Sequence, residues 1–124
     1  MFTDSPESYA DVSAERHKEI YQRVWDWFRV NDAAISDSGA QLQPVSTATT
    51  VRSGPDGPVV ADGPFTEAKE VVGGFSVIDV ADLDAAIALV KTWPEFDLPG
   101  IGVEIRPMVT DYSQFEGSRD GVRR

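Results

Sequence analysis

The run Asp62-Gly63-Pro64-Phe65-Thr66-Glu67-Ala68-Lys69-Glu70, followed by Val71-Val72-Gly73-Gly74-Phe75, constrains the fold most sharply. Proline fixes φ and glycine enters conformations that other residues avoid, so Gly63-Pro64 sets a sharp corner. Asp62 stands just before that corner, where a carboxylate can accept backbone N–H bonds or face a cavity. Glu67, Lys69 and Glu70 follow on a stretch that can make one short helical turn. Gly73-Gly74 then opens a strand-like run in which backbone passes close to another element. The chemistry is that of a structured corner with an acidic site; it names no reaction.

The elements around this corner follow from spacing. Ser13 is placed to cap a helix through Val30, with Glu15 in its first turn. Ile20, Val24, Trp27 and Phe28 recur at helical spacing as its buried stripe, with Tyr21 and Trp25 beside it and His17 at the edge. Asn31-Asp32 and Ser36–Gly39 read as turns. Residues 41–53 read as an extended run broken at Pro44, and Gly54-Pro55-Asp56-Gly57 reverses the chain. Thr49–Arg52 and Val59–Ala61 are therefore the arms of a hairpin. Phe75–Val80 is a strand, Asp82 caps a helix over Leu83–Trp93, and Pro94 stops it. Leu83, Ala86, Ile87 and Val90 line its inner face. Ile101–Arg106 alternates strictly, with Glu104 and Arg106 on the polar face.

That order predicts an α+β fold, a ferredoxin-like plait of β-α-β-β-α-β type with both helices on one face of the sheet. Its first strand is truncated: only Met1-Phe2-Thr3 precedes the turn-like Asp4-Ser5-Pro6. The expectation is an open plait whose sheet lacks a full edge strand, from a stub or from a start assigned at an internal Met. One domain is expected over 1–108, with a polar tail at 109–124.

Composition narrows the function classes. The chain has 124 residues, 41% of them apolar, which is enough for one modest core. No long apolar run marks a membrane span or a signal peptide. With no cysteine and one histidine, thiol chemistry, disulfides and thiolate metal sites are out; no metal or cofactor is expected, and the chain reads as cytoplasmic. The net charge of −10 is spread over residues 1–37 (eight acids, four bases) and 38–108 (ten acids, four bases). A surface of that sign repels phosphates, so direct nucleic-acid binding is not expected.

Four segments, TATTVR at 47–52, DGPFTEAKE at 62–70, GGFSVIDVADLDAAI at 73–87 and VEIRP at 103–107, stand in an order and spacing that resemble the DGPF or YCII-related family. The helix around Ala14–Val30 and Leu42-Gln43-Pro44 extend the likeness over most of the chain. The resemblance implies two plaits stacked sheet to sheet as a dimeric α/β barrel with a cavity between them. It implies a longer opening strand than this chain has. It also implies a homodimer in a regulatory or accessory role, binding a small molecule or a protein, with an association to sigma factors. The rival it implies is an acid–base enzyme, a lyase or hydrolase using a His–Asp pair.

The residues offer two candidate catalytic groups, His17 and Asp62. An imidazole that titrates near neutrality, oriented by a carboxylate, is a general acid/base pair. A histidine at the edge of an apolar stripe is more often structural, and Asp62 is better read as a cap for Phe65 or Thr66. Asp62, Glu67, Lys69, Glu70 and Arg106 are the candidate ligand-binding set. Glu104 and Arg106, two apart on one face, are spaced to pair with each other or across a dimer. Glu67 and Glu70 are a weak metal signal without a histidine nearby. Gly73-Gly74 lacks the pattern of a dinucleotide loop and reads as backbone packing.

Overall fold

Aromatic rings from the first helix and from the end of the second gather over a four-stranded antiparallel sheet in the computed structural model, which describes residues 1–5, 7–63 and 71–115. The strands are β1 (Phe2–Asp4), β2 (Ile35–Gln41), β3 (Thr49–Gly54), β4 (Gly57–Asp62), β5 (Val71–Ile78) and β6 (Gly102–Val103); the helices are α1 (Ala14–Val30) and α2 (Leu83–Val90). The main sheet runs β2-β5-β1-β6, and β3 with β4 forms a separate hairpin. This is the α+β plait expected from the order of elements, with the hairpin inserted between β2 and β5.

The shortened strand lies inside the sheet. Phe2 pairs with Gly74 on one side and Val103 on the other, and Thr3 pairs with Val72 and Gly102. A short central strand also shortens its neighbour. Of the expected run Ile101–Arg106, only Gly102–Val103 is strand, extended by a bond from Glu104 N–H to Met1 O of 2.8 Å. β6 can pair only where β1 offers backbone, so the incomplete edge is β6.

α1 begins where its cap dictates: Ser13 Oγ accepts from Arg16 N–H at 3.1 Å. Ile20 and Trp27 are buried, and Val24 and Phe28 are half-buried beside them. Tyr21 and Trp25, which stand beside that stripe, are 49% and 68% exposed and lie outside the core. Trp93 organises that core. It is 6% exposed and lies against Phe2 (ring centroids 4.4 Å), Trp27 (5.0 Å) and Phe28 (5.8 Å). Trp27 Nε1 donates to Thr92 Oγ1 at 2.8 Å, which ties α1 to the end of α2. The edge-on pairs that Trp93 makes with Trp27 and Phe28 add roughly 0.5–1.5 kcal/mol each beyond burial.

α2 starts on its predicted cap, with Asp82 Oδ1 accepting from Ala85 N–H at 2.8 Å. It is shorter than expected. Beyond Val90 the chain tightens, with Thr92 N–H bonding to Leu89 O and Trp93 N–H to Val90 O, before the 3-10 turn Pro94–Asp97. Of its expected inner face only Ala86 is buried, whereas Leu83 is 60% exposed. The helix is seated chiefly through the Trp93 segment that follows it.

Two further stretches depart from local expectation. Ser36–Gly39 belongs to β2, because these turn-forming residues make an irregularity within a paired strand. Gly39 has φ +72, its N–H bonds to Asp37 Oδ1 at 2.8 Å, and a Cβ there would stand 1.7 Å from Phe75 O. Only glycine permits that approach. After Gln41 the chain leaves the sheet at Pro44, turns through the 3-10 segment Val45–Thr47, and enters the hairpin, so residues 41–53 are not one strand. Gly74 carries the close approach foreseen for the glycine pair: a Cβ there would meet Ala40 O at 2.8 Å.

Candidate functional site

The sequence candidates do not assemble into one site. His17 is exposed on the first turns of α1, stacked on Tyr9 with ring centroids 4.9 Å apart. Asp62 is exposed at the end of β4, opposite Thr49. Among the described residues no hydrogen bond, ion pair or ring contact joins His17 to Asp62. The bonds at the corner are backbone-centred: Gly63 N–H reaches Ala48 O at 2.8 Å, and Thr50 Oγ1 donates to Gly63 O at 2.7 Å. Glu67, Lys69 and Glu70, with Phe65 and Thr66 that Asp62 would cap, lie outside the described residues. Arg106 is exposed and pairs with Glu104, as their spacing allowed. By alternation from Phe2 and Val103, Glu104, to which Arg106 is paired, lies on the sheet face away from the helices, where Thr3 and the 42%-exposed Val72 form a cross-strand pair.

A different cluster sits on the helix side. Asp4 ends β1 and Glu95 lies in the 3-10 turn after Trp93. Each acid stands two residues beyond one of the two rings, Phe2 and Trp93, that stack on each other. That stacking draws both carboxyls to the flank of the core. Glu95 is half-buried; burial first, and the charge of Asp4 second, push its carboxyl up to about 7. Burial also holds the Asp4 carboxyl above its ordinary value. Near neutrality the Glu95 carboxyl is therefore still partly protonated, where an exposed acid would be fully ionised. Gly73 leaves room for it: a Cβ there would come within 3.0 Å of Asp4 Oδ2.

Next to Asp4 the polar groups continue. Ser5 N–H donates to Ser8 Oγ at 3.1 Å and Ser8 N–H to Ser5 O at 2.9 Å, closing a small turn. Ser8 is 1% exposed, and Ser5 Oγ is buried without a hydrogen-bond partner among the described residues. Gly100 (φ +72) presses on this turn; a Cβ would stand 2.1 Å from Ser5 Oγ. Ser8 also lines a cleft of about 390 Å³ between the 7–13 loop, the start of α1 and Leu98-Pro99. Glu7, Asp11 and Arg16 bring both signs of charge to it. Arg16 bonds Glu19 at 3.0 Å and Asp97 at 3.5 Å, and Arg23 bonds Asp97 at 2.7 Å, which fixes the wall beside the 3-10 turn. The Arg23 guanidinium holds the exposed Asp97 carboxyl below the usual range.

Sequence reading missed Asp4, Ser5, Ser8 and Glu95, because Asp4-Ser5-Pro6 read as a turn and Glu95 as the residue after a stop. The signal available was the repeated arrangement of a core aromatic followed two positions later by an acid, at Phe2 and at Trp93.

Among the described residues no helix is long and apolar enough to cross a membrane. The YCII-related domain family matches residues 3–109 of this chain. An uncharacterized protein of Rhizobium meliloti (strain 1021) is 36% identical over 69 residues, a stretch that spans 56% of each of the two chains.

Proposed function

The chain belongs to the YCII-related domain family, and from that premise we propose that it is a small accessory protein that binds a polar small molecule in a regulatory role. The observation that carries this reading is the mixed-charge cleft whose wall, at Ser8, continues into the Asp4–Ser5–Glu95 cluster. A Glu95 carboxyl pushed up to about 7, a Ser5 hydroxyl without a partner among the described residues and an arginine suit a ligand with both donor and acceptor groups. The reading includes cytoplasmic placement and a homodimer formed through the bare face of Glu104 and Arg106. It also includes the sigma-factor link that the family resemblance suggested, to be tested by mixing the protein with a purified sigma factor.

A thermal-shift screen of polar metabolites tests the binding. A ligand that stabilises the protein should lose about tenfold in affinity in Glu95→Gln and keep it in Asp62→Asn. Loss in Asp62→Asn alone would move the site to the 62–70 corner. For the dimer, sedimentation at micromolar concentration should show association that Arg106→Glu weakens; a monomer throughout would remove that part of the reading.

A second reading, the acid–base enzyme, is favoured by one observation: Glu95 titrates at about 7, where a general acid or base works best. It runs through Glu95 with Asp4 and not through His17 with Asp62. A turnover that breaks near pH 7 and vanishes in Glu95→Gln, while His17→Gln leaves it intact, would convert the binder into an enzyme.

A further inference from the structure

The hairpin of β3 and β4 stands apart from the main sheet, and every residue of β4 is exposed. Elementary chemistry fixes which way its backbone groups point. The register pairs Ser53 with Pro58, Arg52 with Val59, Val51 with Val60 and Gly54 with Gly57. Proline has no N–H, so Ser53–Pro58 is not a pair that exchanges two hydrogen bonds. In an antiparallel ladder such pairs alternate. The exchanging pairs are therefore Gly54–Gly57, Arg52–Val59 and Thr50–Ala61. It follows that Pro58, Val60 and Asp62 turn their backbone groups away from β3, toward an edge that no other described strand covers.

We propose that this edge pairs with β4 of a second copy of the chain, antiparallel about a two-fold axis at Val60. In that register Val60 N–H of each copy donates to Val60 O of the other, and Asp62 N–H donates to Pro58 O. The missing N–H of Pro58 falls at the end of the pairing, where it limits the ladder to this short stretch. Side chains agree with the register. Val51 and Val60 are directly opposite and share a face, and they are 61% and 67% exposed. Pairing about Val60 joins the two exposed valine pairs into one stripe across four strands.

Charge selects a second copy as the occupant. The chain carries −10 overall, yet residues 49–61 hold only Arg52 and Asp56 as charged groups. Two like-charged copies meet with least repulsion at such a neutral strip. The register also sets Asp62 against Pro58 of the other copy and keeps the two Asp62 carboxylates apart. A two-stranded hairpin is marginal alone in water, and a four-stranded sheet with a shared apolar stripe is not. This contact is separate from the face of Glu104 and Arg106.

The chain has no cysteine, so single-cysteine variants report the contact directly. Residues exchanging two bonds have Cα atoms about 5.5 Å apart, within disulfide reach. Under mild oxidation at micromolar concentration, Val60→Cys should form a covalent dimer at least about tenfold faster than Lys18→Cys, an exposed control on α1. Val60→Pro removes the outward N–H without touching the hairpin ladder, and should weaken self-association with the circular dichroism unchanged. Equal cross-linking rates for the two cysteines would overturn the inference. So would association that Val60→Pro leaves intact and only Arg106→Glu abolishes, or an edge that takes up a foreign extended peptide while the protein stays monomeric.

Discussion

The body around Trp93 and the β3–β4 hairpin use the same apolar chemistry to different ends. In the body, rings from β1, α1 and the segment after α2 meet within 4.4–5.8 Å and exclude water. In the hairpin, Val51, Val59 and Val60 are 48–67% exposed, and the strands pair along their backbones with no apolar core between them and the main sheet among the described residues. The difference teaches where stability and availability are divided. Burying side chains against three elements fixes the first region, and leaving them in water keeps the second ready for contact.

Substitutions of graded size test that division. Trp93→Ala removes the ring shared by all three elements and should cost about 3–5 kcal/mol, measured by urea denaturation. A loss below about 1 kcal/mol would mean that the core does not depend on this ring.

Next in size is the pH response of the body. Glu95 has a folded value of about 7 against an ordinary 4.5, so the folded state favours the protonated acid. Its contribution to stability is complete below about pH 4.5, falls as the pH rises, and is lost above about 7. Asp4 is shifted in the same direction. Glu95→Gln should flatten that decline and gain about 1–2 kcal/mol at pH 8, allowing for screening of a half-buried group. An unchanged pH profile would show that Glu95 reaches water freely.

The hairpin should answer locally. Gly57 has φ +121, where an L side chain is strained even with open space around it. Gly57→Ala should cost about 1 kcal/mol and raise hydrogen exchange at the amides of Arg52 and Val59, with the melting temperature of the body nearly constant. A global drop of the same size would mean that the two regions unfold as one. Smallest of all, Val60→Thr keeps the β-branch on an exposed strand and should stay within about 0.5 kcal/mol in the monomer.

Legibility followed the range of the forces involved. Ser13, Asp82 and Gly54-Pro55-Asp56-Gly57 announce their structures through contacts a few residues long, and the two helix starts and the hairpin formed where they indicated. The onset of β2 at Ile35 was hidden because Ser36–Gly39 carries turn chemistry, which the sheet uses for an irregularity against Phe75. Glu104 with Arg106 was legible at a spacing of two, but Asp4 with Glu95 was not, since nothing local links residues so far apart in sequence.

The sequence by itself determined the α+β order, the capped helices, the hairpin reversal, the acidic charge and, through its motifs, the family. Those properties depend on residue type, local periodicity and short-range hydrogen bonds. Only the tertiary structure decided that the short first strand is a central one and that His17 and Asp62 make no contact among the described residues. It also decided that two distant acids share the flank of the aromatic core. The physical reason is that strand partners are chosen by long-range backbone pairing, and a carboxyl holds its proton only once folding has taken it out of water.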